Sequence, residues 1–586
     1  MEKYYYTNER NVQIVLSLLK AHRIRKVVVS PGATNVTLVA SMQQDSFFEM
    51  YSCVDERSAA YMACGMAAEF DEPIVLSCTG ATSSRNYMPG LTEAYYRKLP
   101  ILAITSTMSI AKVGHLYAQV TDRSNPPKDI IKYATCLQTV KDAEDEWDCM
   151  IKANKAILEL KRRGGGPVHI NLTTVGSRDY SVKELPETRE IKRFCKKEDF
   201  PELPKGRIGV FVGVHSKWSQ EQTDILDKFC ASNNAIVLCD HSSNFKGKYR
   251  AQYSLIAGQE HYVSELCNLD LLIHIGEISG DYYTFNRLNI KEVWRVSEDG
   301  EIRDFFHKLH YVFETKEEDF FAFYSKGDLL VSDSYLNEFK LEYNRILAKI
   351  PTLPFSNIYV ASILSSRLPQ KSVLHLGILN SLRAWNFFEI PQSVLSYSNV
   401  GGFGIDGIMS TLIGASLADK NKLYFAVIGD LAFFYDLNSL GNHHVGNNIR
   451  ILLINNGRGI EFRNYSHAAS VFGDITDKYI AAAGHFGNKS AQLVKHYAED
   501  LGYEYMCARN KEEFNSVYEH FISPVMGQRS IIFEVFTTSD DESNALKLMN
   551  HIEEDSSLKT AAVLKKTFRK FAGNNTVKMI KNVIKK

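Results

Sequence analysis

An excess of charge of one sign is missing from this chain. Its 68 Lys and Arg are matched by 68 Asp and Glu, and such balance argues against nucleic acid as the main partner. Long apolar runs are missing too: none approaches the roughly 20 residues that span a bilayer. The opening MEKYYYTNERN does not read as a secretory signal. Ten cysteines include no CxxC pair, which predicts reduced thiols in a cytoplasmic protein rather than a disulfide framework. Cys64 and Cys78, among small and apolar neighbours, are expected in the core. The middle of the chain has no GxGxxG, so nothing there points to a dinucleotide. What is present is an ordinary globular mixture, 45% hydrophobic and 23% charged, in a length that holds roughly two to four domains.

Short apolar runs ending in turn residues alternate with helical patterns. This predicts an α/β protein of three Rossmann-like domains, each a doubly wound parallel sheet. In the first, 1–180, residues 8–22 read as a helix with Val12, Val15, Leu16 and Leu19 on one stripe. Residues 27–29 read as a strand ending in Ser30-Pro31-Gly32. Residues 53–69 pass from a strand end into a helix, where Ala59, Ala60, Ala63, Gly65 and Ala67 permit the close packing of a subunit interface. Residues 73–77 are a strand before Thr79-Gly80-Ala81. Residues 181–205 read as a linker without periodicity. The central domain spans 206–345 and the third 351–539. Residues 540–586 begin acidic and end, over 559–586, in a basic helical tail with apolar residues at helical spacing. Such a tail can make peripheral contact with an anionic membrane, or pack on acidic faces of its own oligomer.

Residues 422–459 carry the densest chemistry. Residues 424–428 end in Gly429-Asp430, and 449–454 end in Asn455-Asn456. Both read as buried parallel strands, joined by a crossover helix over 436–444 whose His443-His444 pair suits a surface or packing role. The acid and the amide then face one crevice, where open α/β sheets bind ligands. Asp430, the Asn456 side chain and a backbone carbonyl near Arg458 form a hard oxygen set suited to Mg²⁺ holding a diphosphate. The same residues also describe an ordinary strand–helix–strand with polar loops. Glu56 lies among small apolar residues, where a carboxyl has a raised pKa unless it finds a partner. It reads equally as a solvated acid or a helix cap. Residues 402–416 read as a Gly-rich turn, suited to close approach by a cofactor, entering a helix that Ser410, Gly414 and Ser416 let pack tightly.

Ser30-Pro31-Gly32, Asp55-Glu56-Arg57-Ser58, Asn380-Ser381-Leu382, Gly404-Ile405-Asp406-Gly407, and Gly429-Asp430-Leu431 with Asn455-Asn456 occur in a telling order and spacing. Over residues 1–540 the chain resembles thiamine diphosphate enzymes of the acetolactate-synthase type. It particularly resembles the menaquinone-type subgroup that makes 2-succinyl-5-enolpyruvyl-6-hydroxy-3-cyclohexene-1-carboxylate. The resemblance implies thiamine diphosphate and Mg²⁺ as cofactors, with Asp430, Asn456 and the carbonyl at Arg458 on the metal. It places Pro31, Gly32, Thr79, Gly80, Asn86, Gly402, Gly404, Gly429, Leu431, Gly459 and Ile460 around the cofactor. Glu56 is implied to bond N1′ of the aminopyrimidine and so promote loss of the thiazolium C2 proton. Gln119 is implied to face substrate, and Ile405 to wedge under the bent cofactor. The cofactor would lie between the first domain of one subunit and the third domain of another, so the resemblance implies a homodimer or a tetramer.

The departures concern substrate. The subgroup follows Ser-Pro-Gly with Ser-Arg; this chain has Ala33-Thr34. Ser106-Thr107-Met108-Ser109 replaces an Ala-Asp-Arg-Pro stretch, and Val400 and Trp385 stand where the subgroup has arginines, with Arg383 nearby. Those arginines serve the carboxylates of 2-oxoglutarate and isochorismate, and neither Val nor Trp can replace a charge-assisted hydrogen bond. The expectation is therefore decarboxylation of a 2-oxo acid, with transfer to a proton or to an aldehyde or ketone acceptor. Thr34, Arg85, His115, Arg383, Trp385, Val400, Arg458 and Arg463 are the substrate candidates. A menaquinone-type synthase with a rebuilt pocket, a noncatalytic cofactor-binding paralogue, and addition without decarboxylation stay open.

Overall fold

The structure, a computed structural model, describes residues 5–281, 283–325, 332–484 and 489–554. The basic stretch 559–586 lies outside the described residues. Among the described residues no helix is long and apolar enough to cross a membrane. Contacts divide the chain into two units, 1–199 with 299–314, and 200–298 with 315–586.

The first unit is built on six strands: β1 (Lys26–Val29), β2 (Glu49–Ser52), β3 (Ile74–Thr79), β4 (Ile101–Thr107), β5 (Tyr133–Leu137) and β6 (Val168–Thr173). They lie in the order β2-β1-β3-β4-β6-β5, all parallel. β1, β3, β4 and β6 are buried along their whole length, as strands covered by helices on both faces must be. Helix Arg10–Ala21 buries Val12, Val15, Leu16 and Leu19 as its periodicity predicts. Of the small residues of helix Glu56–Phe70, Ala59, Ala60, Ala63 and Ala67 are buried within the chain, while Gly65 is exposed. A Cβ at Gly90 of helix Met88–Arg97 would sit 2.5 Å from the Ala60 Cβ. Tyr61, Met62 and Phe70 of the same helix stay exposed. The stretch read as a featureless linker holds β7 (Lys192–Phe194), a strand too short to show a period. All ten cysteines are free; burial pushes Cys64 up to about 11 and Cys78 up to about 12.

The second unit carries a central run of parallel strands, β8 (Ile208–Val212), β9 (Ile236–Cys239), β10 (Arg250–Gln252), β11 (Asn268–Ile275) and β12 (Asn289–Ser297), in the order β10-β9-β8-β11-β12. β13 (Leu309–Glu314) belongs by contact to the first unit, where it pairs in parallel with β7. A last sheet holds β14 (Val373–Leu376), β15 (Leu395–Tyr397), β16 (Tyr424–Gly429), β17 (Ile449–Asn455), β18 (Glu504–Ala508) and β19 (Ile531–Phe536), in the order β15-β14-β16-β17-β19-β18. Three parallel-sheet α/β layers are thus present, as the alternation of strands and helices predicts.

Two local expectations fail. The crossover after β16 is not one helix over 436–444. Helix Asp430–Tyr435 starts at the strand end, and a 3-10 turn, Leu437–Gly441, follows. Asp436 leaves the helix to accept hydrogen bonds from the Ser410 backbone N (2.6 Å) and Oγ (2.5 Å) at the start of helix Ile408–Ser416. That helix is not tightly packed at Gly414, where a Cβ would meet nothing within 4 Å.

Candidate functional site

At the carboxyl ends of β1, β2 and β3, the first unit gathers one group of predicted residues. Ser30 anchors its turn by donating from Oγ to the Cys53 carbonyl (2.8 Å). Gly32 is required here, because a Cβ would lie 2.7 Å from the Thr79 Cβ. Thr34 Oγ1 bonds the Thr79 hydroxyl and donates to the Ser106 carbonyl (2.6 Å), so it braces the loop. Pro31 and Ala33 are exposed beside it. Asp55 caps helix Glu56–Phe70 by accepting from the Ser58 backbone N (2.8 Å). Glu56, the first helical residue, is half-buried and accepts from Asn86 Nδ2 (3.1 Å). Burial alone would raise this carboxyl, but hydrogen bonds from Asn86 and Ser83 outweigh it and leave Glu56 below its ordinary value. The partner that the sequence reading required is therefore Asn86.

Gly80 follows Thr79, and a Cβ there would come within 3.1 Å of the Arg123 guanidinium carbon. Arg123 is a residue the sequence reading missed. It donates to Thr105 Oγ1 (2.5 Å) and to Asn171 Oδ1, its Nε is buried without a partner, and it has no carboxylate partner among the described residues. Thr105 also bonds His169 Nε2 (2.7 Å), and burial, then Arg123, pushes that imidazole down to about 3. Arg123, Arg85 and His169 line a cavity of about 330 Å³ with Tyr87, Leu91 and Ile131. Arg85 reaches only the Asp122 carbonyl (3.4 Å). His115 and Gln119 are exposed; Gln119 has a left-handed φ of 63°. Among the described residues, neither side chain makes a hydrogen bond to Glu56.

The second unit gathers the other group. Gly429 pairs in register with Ile454, so Asp430 and Asn456 leave neighbouring strand ends. Asp430 is 1% exposed. Asn455 is turned inward, donating to Glu534 Oε1 (2.7 Å) and accepting from the Gly457 backbone N (3.2 Å). Asn456 is left with a buried Oδ1 that has no hydrogen-bond partner. A buried acceptor without a donor is costly, and a cation satisfies it. The set therefore fits a divalent metal with oxygen ligands. Cβ atoms at Gly402 and Gly429 would meet nothing within 4 Å, which leaves open space for a ligand. Gly404 and Ile405 are half-buried, and Gly407, at φ 75°, turns the chain into helix Ile408–Ser416. Gly459 donates to the Ala481 carbonyl (2.6 Å), and Ile460 opens the next 3-10 turn. Leu431 is half-buried in the first turn after Asp430.

The substrate candidates of this unit are otherwise engaged. Arg383 donates to both Glu461 oxygens (3.0 and 3.1 Å) and lies 3.5 Å above the Tyr283 ring. Burial would raise Glu461, but Arg383 and then Tyr283 hold it below the usual carboxylate range. Arg458 pairs with Asp477 (2.6 Å), and Arg463 with Asp474 (2.8 Å). Trp385 and Val400 are each 1% exposed and belong to the core. Val400 and Leu382 close on Gly280, where a Cβ would clash with both. The three arginines of this unit that the sequence offered as anion receptors are thus salt-bridged.

Residues 10–125 match the family model described as "Thiamine pyrophosphate enzyme, N-terminal TPP binding domain". The chain is 30% identical over 571 residues to the 2-succinyl-5-enolpyruvyl-6-hydroxy-3-cyclohexene-1-carboxylate synthase of Bacteroides thetaiotaomicron, covering 93% of this chain and 99% of the relative. It is 29% identical over 568 residues to the protein of that name from Bacteroides fragilis, with the same coverage. To that of Flavobacterium psychrophilum it is 25% identical over 592 residues, 92% of this chain and 98% of the relative. The chain is an enzyme that uses thiamine diphosphate and a divalent metal, and it belongs to the family of the 2-succinyl-5-enolpyruvyl-6-hydroxy-3-cyclohexene-1-carboxylate synthases.

Proposed function

We propose that the enzyme is a decarboxylating carboligase. It takes a 2-oxo acid, releases its carboxylate as CO₂, and joins the remaining acyl carbon to a carbonyl acceptor or to a proton. The observation that carries the reading is the unpartnered buried Oδ1 of Asn456 beside buried Asp430. These two side chains, with the carbonyl of Arg458, would hold Mg²⁺. Bound thiamine diphosphate supplies the carbon nucleophile and the electron sink that decarboxylation requires. Glu56 would share a proton with N1′ of the pyrimidine, and the hydrogen bond from Asn86 holds its carboxyl group in place. Thr79, Gly80, Pro31 and Gly32 receive the pyrimidine; Gly402, Gly404, Ile405, Gly429, Leu431, Gly459 and Ile460 receive the rest.

Two copies complete the site, the Glu56 group of one facing the Asp430 group of the other. Exposed Tyr61, Met62 and Phe70 on the Glu56 helix, with Leu116 and Tyr117 near Gln119, support such a homo-oligomer, because apolar patches of this kind mark interfaces. A cytoplasmic setting fits the free cysteines.

A second reading has its own support. The near full-length similarity to the 2-succinyl-5-enolpyruvyl-6-hydroxy-3-cyclohexene-1-carboxylate synthases favours that reaction in a rebuilt pocket, with 2-oxoglutarate as the donor. Arg85 and Arg123, which have no carboxylate partner among the described residues, would then receive the donor's second carboxylate in place of the missing arginines. The test is a panel of carboxyl-labelled 2-oxo acids, including pyruvate and 2-oxoglutarate, given to the holoenzyme with and without aldehyde acceptors. Labelled CO₂ from at least one donor is expected. Preference for 2-oxoglutarate, with KM raised in Arg123→Leu, selects the second reading. Unchanged donors throughout would end both.

A further inference from the structure

One feature of the second unit lies apart from the residues assigned to thiamine diphosphate. A cavity of about 620 Å³ opens among the loops after β8 and β9 and the residues flanking β14, β15 and β16. Five lysines line it, Lys217, Lys246, Lys248, Lys371 and Lys422, against one carboxylate, Asp227. Asp227 spends its oxygens on the backbone N–H groups of Lys248 (2.8 Å) and Tyr249 (3.2 Å). Lys248 pairs with Asp333 (2.5 Å), and Lys422 stands 4.0 Å from Asp419. Lys217, Lys246 and Lys371 have no carboxylate partner among the described residues. Like charges converging on a concave surface raise the local potential and concentrate anions there.

Two further features point to a ligand. Asn244 lines the cavity at 4% exposure, and its Nδ2 is a buried donor without a partner; its Oδ1 is already taken by the Ser396 backbone N (2.7 Å). Helix Gln220–Asn233, 14 residues long, presents its N-terminus to the same space through Ser219, Gln220 and Thr223, and helix N-termini favour phosphate. Trp218 forms an apolar wall. It is fixed by donation from Nε1 to the Ser243 carbonyl (2.9 Å) and by stacking on His215 at 4.0 Å.

We propose that this cavity is a second, separate binding site for a polyphosphate-bearing small molecule of the nucleoside di- or triphosphate class. Lys217, Lys246 and Lys371 meet the phosphate chain with the helix N-terminus, Asn244 donates to it, and Trp218 lies beside the organic part. The volume suits a ligand of that size, and several lysines suit several phosphates better than one carboxylate. Burial, and then Arg250, pushes Lys246 down to about 7, with Cys239 and Glu389 opposing; a bound anion restores its charge. The site does not depend on which 2-oxo acid the enzyme uses.

The test is calorimetry on the full chain saturated with thiamine diphosphate and Mg²⁺, so that the diphosphate site is closed to competition. ATP, ADP and inorganic pyrophosphate are the probes. One saturable site per chain is expected, weakening with salt, with at least tenfold lower affinity in the Lys217→Glu/Lys371→Glu double variant. Both positions are exposed, and Lys205→Glu, an exposed lysine outside the cavity, should bind as the parent does. ATP or ADP tighter than pyrophosphate would support a nucleoside contact at Trp218, and equal affinity would support recognition through phosphate alone. No saturable binding of any probe, or equal binding by the double variant, would overturn the proposal.

Discussion

Glu56 and Asp430 hold the same local position: each is the first residue of a helix that follows a parallel strand. A carboxylate there is favoured by the helix dipole, yet the two environments differ. Glu56 heads a 15-residue helix, half-exposed, with Asn86 as its side-chain partner. Asp430 heads a six-residue helix and is 1% exposed, beside the orphan oxygen of Asn456. An open carboxylate can exchange a proton with a ligand that arrives. A closed one beside a second oxygen is suited to holding a cation. The proposed division of labour follows from this difference in burial rather than from residue type.

The largest expected effect separates those two roles. Glu56→Gln should cut turnover about a thousandfold, within the range for lost general acid–base catalysis, while calorimetry still shows cofactor binding. Asp430→Ala should lose cofactor and metal binding itself. If Glu56→Gln also abolished binding, the distinction would collapse.

Next in size is the buried support around the Asp430 group. Arg383→Leu removes the cation paired with buried Glu461, and denaturant unfolding should show a loss of about 3–5 kcal/mol. Arg383→Leu/Glu461→Leu should recover most of that loss. An additive double variant would mean that the pair is not coupled.

A third prediction concerns pH. Glu542 is buried and accepts from the Asn357 backbone N (2.9 Å), and burial raises its carboxyl to about 7. The folded chain therefore holds a proton that the unfolded chain releases near its ordinary, lower pKa. This stabilisation is complete below the unfolded value and is lost as pH rises through about 7, by about 3 kcal/mol in all. Glu542→Gln should flatten that part of the stability–pH profile; an unchanged slope would remove Glu542 as its cause. The smallest expected effect is in the first unit. Gly90→Ala drives a methyl into Ala60 and should cost about 1–3 kcal/mol by overpacking. A neutral result would place slack between the two helices that flank the Glu56 group.

Much of this was legible in the sequence, for physical reasons. Strands buried on both faces are continuous apolar runs, so the strand Val373–Leu376 and those ending at Gly429 and Asn455 stand out. Edge strands β5 and β18 are only half-buried and mix polar with apolar residues, so no run marks them. The helix expected over 436–444 failed because Asp436 is recruited by a distant Ser410. Arg383, Arg458 and Arg463 looked free for substrate because their carboxylate partners come from elsewhere in the chain. Arg123, and the lysines from four separate loops, carry no motif; only the fold brings them together.

The most direct test of the central claim mixes two dead enzymes. Glu56→Gln and Asp430→Ala chains are dissociated together, reassociated with thiamine diphosphate and Mg²⁺, and assayed for CO₂ release from the preferred 2-oxo acid. If each site takes Glu56 from one copy and Asp430 from another, random pairing in a symmetric dimer regenerates about a quarter of the parent activity. If activity stays at the level of the separate variants, no site is shared between copies and the account is wrong.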